Sequence, residues 1–134
     1  PEAEQHLREA TGRDPEGAPA WLVLGIVQQE QKKLDAALAS LAMAVQLAPK
    51  DARAQFYLGV VCGRKGWYLG GEDSMRRAIE IDPGYTEAHY NLAIFYLQRA
   101  PAATELARRH YQKSIDLGGA RDPEVERQLG NPEE

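Results

Sequence analysis

The sequence predicts an all-α fold assembled from repeated helical units, and three observations predict it. Pro15, Pro49 and Pro83 lie 34 residues apart. Leu24-Gly25, Leu58-Gly59 and Leu92-Ala93 recur at the same step. Leu, Ala, Glu, Gln and Arg are common while Thr, Val, Ile and Phe are sparse, which favours helix over sheet. Self-similarity at one fixed period is the mark of a repeat architecture, because no single unit buries its apolar face alone and stacked neighbours supply the core.

Each proline closes a similar segment. The first is Ala3-x3-Leu7-x2-Ala10-x4-Pro15, the second Ala37-x3-Leu41-x2-Ala44-x4-Pro49, and the third Gly71-x3-Met75-x2-Ala78-x4-Pro83. Small residues at Gly25, Gly59 and Ala93 allow a first helix to approach its neighbour. Ala37 and Ala44 keep one face of a second helix thin, and Leu41 and Met75 fill the space between. Pro49 and Pro83 lack the backbone N–H that would extend a helix, so the chain turns there.

These segments resemble the tetratricopeptide repeat family, whose signature is W-x2-L-G-x2-Y, then A-x3-F, then P. Trp21-x2-Leu24-Gly25-x2-Gln28 with Ala37, Leu41, Ala44 and Pro49 is the fullest match. Gln55-x2-Leu58-Gly59-x2-Cys62 and His89-x2-Leu92-Ala93-x2-Tyr96 open the next two copies. Gln28 and Cys62 stand in place of the signature tyrosine, and Gly119 in place of the last closing proline. The resemblance implies a right-handed α-solenoid of antiparallel helix pairs. It divides the chain into the second helix of a partial repeat at 2–17, repeats at 18–51, 52–85 and 86–121, and a short capping helix at 122–130. The third repeat holds two extra residues within Ala100-Pro101-Ala102-Ala103, where Pro101 ends the first helix and Thr104 is the expected cap of the second. Asp122-Pro123-Glu124 supplies a cap, a first-turn proline and an acidic first turn for the terminal helix. The first helix lacks its partner, and an opening Pro1 reads as the start of a fragment.

Composition narrows the function classes. The 134 residues carry a net charge of −4, and the 16 basic residues are scattered, which speaks against a nucleic-acid surface. No apolar run approaches the roughly 20 residues that span a bilayer, so membrane insertion is not expected. Cys62 is the only cysteine, which rules out a disulfide or thiolate metal site within one chain. No targeting segment names a compartment, and the cytoplasm is the default. His6, His89 and His110 fall in different repeats without ligand spacing, and Gly70-Gly71 has no flanking phosphate-loop residues. No cofactor, metal or catalytic constellation is expected, and the chain does not read as an enzyme.

The resemblance also implies where a partner binds. First helices of the family line a concave groove, and by register the groove positions here are Leu22, Ile26 and Gln29, then Arg53, Phe56, Val60 and Arg64, then Tyr90, Ile94 and Leu97. The apolar members form a stripe that suits a peptide or helical segment of a protein partner, with Phe56 and Tyr90 as aromatic anchors. The alternative for the stripe is packing between repeats. The chaperone-tail subtype needs Lys, Asn and Arg donors where this chain has Leu22, Ile26, Tyr57, Glu87 and Asn91, so that clamp is disfavoured. Two other functions stay open: homo-oligomerisation through the incomplete N-terminal end, and substrate positioning within a larger enzyme. Trp67-Tyr68 reads as a local packing plug, and Arg76-Arg77 and Arg108-Arg109 as solubilising charge on the outer face.

Overall fold

The computed structural model describes residues 2–13 and 16–130, and among them every regular element is a helix. In chain order they are α1 (Glu2–Arg13), α2 (Ala18–Glu30), α3 (Leu34–Leu47), α4 (Ala52–Arg64), α5 (Tyr68–Ile81), α6 (Thr86–Leu97), α7 (Thr104–Asp116) and α8 (Pro123–Leu129). Pro15, the first of the three spaced prolines, lies outside the described residues. The closest packing is within α2/α3, α4/α5 and α6/α7, and each pair then meets its successor through α3/α4 and α5/α6. The result is a right-handed α-solenoid of antiparallel pairs. The first helices α2, α4 and α6 also touch one another directly, which makes them the inner layer of the stack.

The small residues set the pair geometry. A Cβ on Gly25 would stand 2.5 Å from Cγ of Leu41, and one on Gly59 would stand 2.9 Å from the Met75 methyl. Leu41 and Met75 are fully buried in return, as are Ala37, Ala44, Ala78, Leu92 and Ala93. Where the signature tyrosine is replaced, Gln28 is buried and its Oε1 accepts a 2.7 Å hydrogen bond from the Ser40 hydroxyl. A polar pair thus closes a gap that an aromatic ring fills in the third pair, at Tyr96.

Turns follow local chemistry, with two departures from expectation. Thr104 is the first helical residue of α7 rather than its cap; Ala103 holds that position without a side-chain bond. The reason is that the Ala103 N–H already turns the chain by bonding to the Tyr96 carbonyl at 2.9 Å. Trp67 and Tyr68 are 51% and 43% exposed, so they form no buried plug; Lys65 lies over the Trp67 ring at 4.9 Å. Asp122 caps α8, its carboxylate accepting from the N–H groups of Glu124 and Val125.

The turn after α2 places Lys32 at φ 64°, and its repeat equivalent Gly66 sits at φ 82°. A left-handed conformation costs a non-glycine residue roughly 1–2 kcal/mol, while a glycine loses more backbone entropy on folding, about 0.5–1 kcal/mol. Lys32→Gly is therefore expected to stabilise by about 0.5–1 kcal/mol. Urea unfolding of the two proteins checks this; an unchanged midpoint would show that the turn is unstrained.

An ion-pair ladder runs along the edge where the turns within each pair lie. Glu4 of α1 accepts from Lys33 at 2.7 Å, Asp35 of α3 from Lys65, and Glu72 of α5 from Arg99. Each rung joins the start of one second helix to the turn of the next pair. Glu4 and Glu72 are buried, unlike Asp35. The Lys33 hydrogen bond, helped by Arg8, holds the Glu4 carboxyl down to about 2.

Candidate functional site

The inner layer carries the residues that the repeat register singles out, and the structure sorts them into three groups. Leu22 (5% exposed) and Phe56 (8%) lie in the core. Leu22 belongs to one apolar cluster with Leu41 and Ala54, while Phe56 stacks on Tyr85 with ring centroids 4.9 Å apart. Gln29 is also buried, and its backbone carbonyl accepts from the Arg64 guanidinium at 3.3 Å. Ile26, Val60, Tyr90, Ile94 and Leu97 are half-buried, and Arg53 and Arg64 are exposed.

This sorting has a physical cause. Leu22, Phe56 and Tyr90 are register equivalents, and each is associated with the chain that begins the helix two further on. Leu22 shares an apolar cluster with Ala54 of α4, Phe56 stacks on Tyr85 just before α6, and Tyr90 donates to Asp122 just before α8. Four residues later, Ile26, Val60 and Ile94 are only half-buried and keep a free face. The stripe is therefore divided between repeat contacts and surface.

Val60, Arg64 and Ile94 come together in a depression of about 340 Å³ between α4 and α6, with Gly63, Tyr68, Asn91, Phe95 and Gln98. Its lining combines the apolar Val60, Ile94 and Phe95 with the polar Arg64, Asn91 and Gln98. Gly63 is what lets Phe95 in: a Cβ there would stand 2.7 Å from the ring. Tyr90 instead borders a second depression of about 470 Å³ at the C-terminal end, with Thr86, Glu87, Arg121, Asp122 and Pro123. Its hydroxyl donates to Asp122; that bond, together with burial, lifts the Tyr90 pKa to about 12, and against burial the same bond lowers that of Asp122. Tyr111 supports the same junction by donating to Glu126 at 2.6 Å and accepting from the Asp122 N–H at 2.8 Å. The pair of tyrosines fastens α8 to the last repeat.

Arg108 departs from a purely solvating role, because it donates to the Leu129 carbonyl at the end of α8 at 2.6 Å. Arg76 likewise reaches the Tyr96 hydroxyl at 3.4 Å. Cys62 is buried and burial raises its thiol pKa, which suits a structural residue. Among the described residues no three His, Cys, Asp or Glu side chains gather to hold a metal ion.

His89 and His110, kept apart by the sequence reading, meet in the structure with their Nδ1 atoms 3.0 Å apart. The signal was available: the two residues lie about equally far from the turn between α6 and α7. In an antiparallel pair such positions face each other across the contact, as Gly25 faces Leu41.

Family models described as tetratricopeptide repeat match residues 1–56 and residues 31–86. Among solved structures, one titled crystal structure of MamA superposes with a TM-score of 0.80 at 23% identity, covering 86% of this chain and 66% of that one. MamA 41-end from Desulfovibrio magneticus RS-1 gives 0.77 at 24% identity over 85% of this chain and 63% of that one. YrrB, described as a TPR protein with an unusual peptide-binding site, gives 0.76 at 24% identity over 91% and 61%. At these identities the likeness is one of fold, and the chain spans about 61–66% of the length of those three proteins. No curated protein matches the chain.

Proposed function

The chain belongs to the tetratricopeptide repeat family, and from that premise we propose that it is a protein-interaction module that seats an apolar or amphipathic segment of a partner on its inner layer. The observation that carries this reading is the depression between α4 and α6. Val60, Ile94 and Phe95 offer an apolar seat, and Arg64, Asn91 and Gln98 offer donors beside it. An exposed apolar concavity framed by polar groups is the usual form of a recognition site. Arg53 and Arg64 give the partner's acidic side chains something to meet, and a hydrophobic side chain between Val60 and Ile94 supplies the anchor. Leu22 and Phe56 act indirectly, by holding consecutive repeats at the spacing that keeps the depression open.

The test is a Val60→Lys/Ile94→Lys double variant, since lysine keeps an aliphatic stem on the helix surface while placing a charge over the seat. Peptides selected from a display library on the wild-type protein are expected to bind the variant about tenfold more weakly or worse, at an unchanged melting temperature. Equal affinities would remove the depression from the binding surface.

A second reading, self-association at the N-terminal end, rests on a separate observation. Ala3 is exposed and Leu7 and Ala10 are only half-buried, whereas their register mates Ala37, Leu41 and Ala44 are buried under α2. A helix from another copy could supply that cover.

A further inference from the structure

His89, on α6, is 4% exposed and both of its ring nitrogens are engaged. Nε2 lies 2.9 Å from the Pro83 carbonyl oxygen, which has only lone pairs to offer, so Nε2 carries the hydrogen and donates it. In the neutral ring, Nδ1 is then left with a lone pair. That lone pair meets Nδ1 of His110, on α7, at 3.0 Å. The ring centroids are 5.3 Å apart and the planes 23° apart. Such a centroid separation leaves about one ring radius at each end beyond the nitrogen–nitrogen distance, so the two nitrogens point at each other. The hydrogen between them belongs to His110, and both tautomers of the neutral pair are fixed by one backbone carbonyl.

We propose that His89 and His110 form a latch between α6 and α7 that stays closed with no added proton or with one, and opens when both rings are charged. The first added proton has one place to go, Nε2 of His110, because the other three nitrogens are occupied by a hydrogen or by the shared bond. It leaves the N–H···N bond intact and makes its donor cationic. The second proton can only land on Nδ1 of His89, where it would confront the His110 N–H head-on between two positive rings. The contact then breaks.

The surroundings work against charging His110. Arg109 of α7 and Arg76 of α5 both repel a charge on His110, and the Tyr96 ring of α6 covers it with centroids 5.8 Å apart. Arg109, Lys113 and Asp116 border the open side next to both histidines, a setting with more positive than negative charge. Burial first, then like-charge repulsion from His89, and then Arg109 and Arg76, depress the His110 pKa from its ordinary 6.5 to about 4. A depressed histidine means that the unfolded chain binds more protons than the native one below pH 6.5. The stability contributed by the neutral pair is therefore full above about 6.5 and is lost as the pH falls toward about 4.

Long-range ¹H–¹⁵N correlations on the full chain at pH 7.5 test the assignment directly. His89 is expected as the Nε2–H tautomer and His110 as the Nδ1–H tautomer. The melting temperature is expected to fall by about 5–10 °C between pH 7.5 and 4.5, and His110→Asn, which keeps an N–H donor at that place without titrating, is expected to remove about half of that fall. His89 observed as the Nδ1–H tautomer would overturn the proposal, and so would a His110 ring that titrates at the pKa of a free histidine. If the variant does not fold, the wild-type tautomers alone decide.

Discussion

Phe95→Ala is expected to cost about 3–5 kcal/mol of unfolding free energy, the usual loss for truncating a buried phenylalanine. Phe95 is 6% exposed on α6, and its ring enters two glycine gaps at once. A Cβ at Gly63 of α4 would stand 2.7 Å from the ring, and a Cβ at Gly71 of α5 would stand 2.6 Å from it. One side chain therefore fixes how α6 sits on the whole preceding pair. The same geometry predicts a coupling. Alanine at Gly71 gains about 1 kcal/mol of helix propensity, but against a ring that cannot swing aside it suffers overpacking of about 1–3 kcal/mol, so Gly71→Ala alone is expected to destabilise. With Phe95→Ala present the clash is gone, and the same change is expected to stabilise by up to about 1 kcal/mol. Urea unfolding of the four proteins of this cycle measures the coupling. Identical effects of Gly71→Ala in both backgrounds would refute the wedge.

The second large effect is expected at Leu41, fully buried against α2. Leu41→Ala should cost about 2–5 kcal/mol, more if the helices fail to close the cavity. The glycine facing it sharpens the test. A Cβ on Gly25 would meet the branch carbon and a methyl of Leu41 at 2.5 and 2.7 Å, whereas a Cβ on Gly59 meets the mobile end of Met75 at 2.9 Å, with Ser74 and the Gly71 carbonyl at 3.2 and 3.3 Å. A methionine methyl rotates away at little cost, but a leucine branch point does not. Gly25→Ala is thus expected to lower the unfolding midpoint more than Gly59→Ala, although both occupy one register position. The reverse order would show that the leucine side relaxes more freely than its geometry suggests.

These contrasts indicate which parts of the molecule were legible in advance. The spacing of Pro49 and Pro83, with Leu24-Gly25 and Leu58-Gly59, announces helix pairs because turns and close contacts need those residue types. The buried rows at Ala37, Leu41 and Ala44 follow from helical periodicity. Periodicity states which side of a helix faces inward, but not whether the next element covers it. That is why Leu22 and Phe56, grouped by register with Ile26 and Val60, are core residues in the structure, one in the cluster that includes Ala54 and the other stacked on Tyr85. Gly63 gave no reason for its smallness until Phe95 was seen against it. The ladder of Glu4–Lys33, Asp35–Lys65 and Glu72–Arg99 was hidden too, since charges on separate repeats meet only through the pitch of the stack. His89 and His110 were hidden by a search for spacing within one helix, when the relevant symmetry was reflection about a turn.

The ladder has a mechanical consequence. Consecutive pairs are linked covalently at the margin that holds Pro49 and Pro83, and at the opposite margin by charge attraction between side chains, two of whose carboxylates are sheltered and one open to water. Dissolved ions weaken attraction between exposed charges beyond a screening distance of about 8 Å at physiological strength, but leave peptide bonds untouched. Rising ionic strength therefore loosens mainly the rung open to water, Asp35–Lys65, while the two sheltered rungs hold, so that salt acts on the joint between the α2/α3 and α4/α5 pairs before any other.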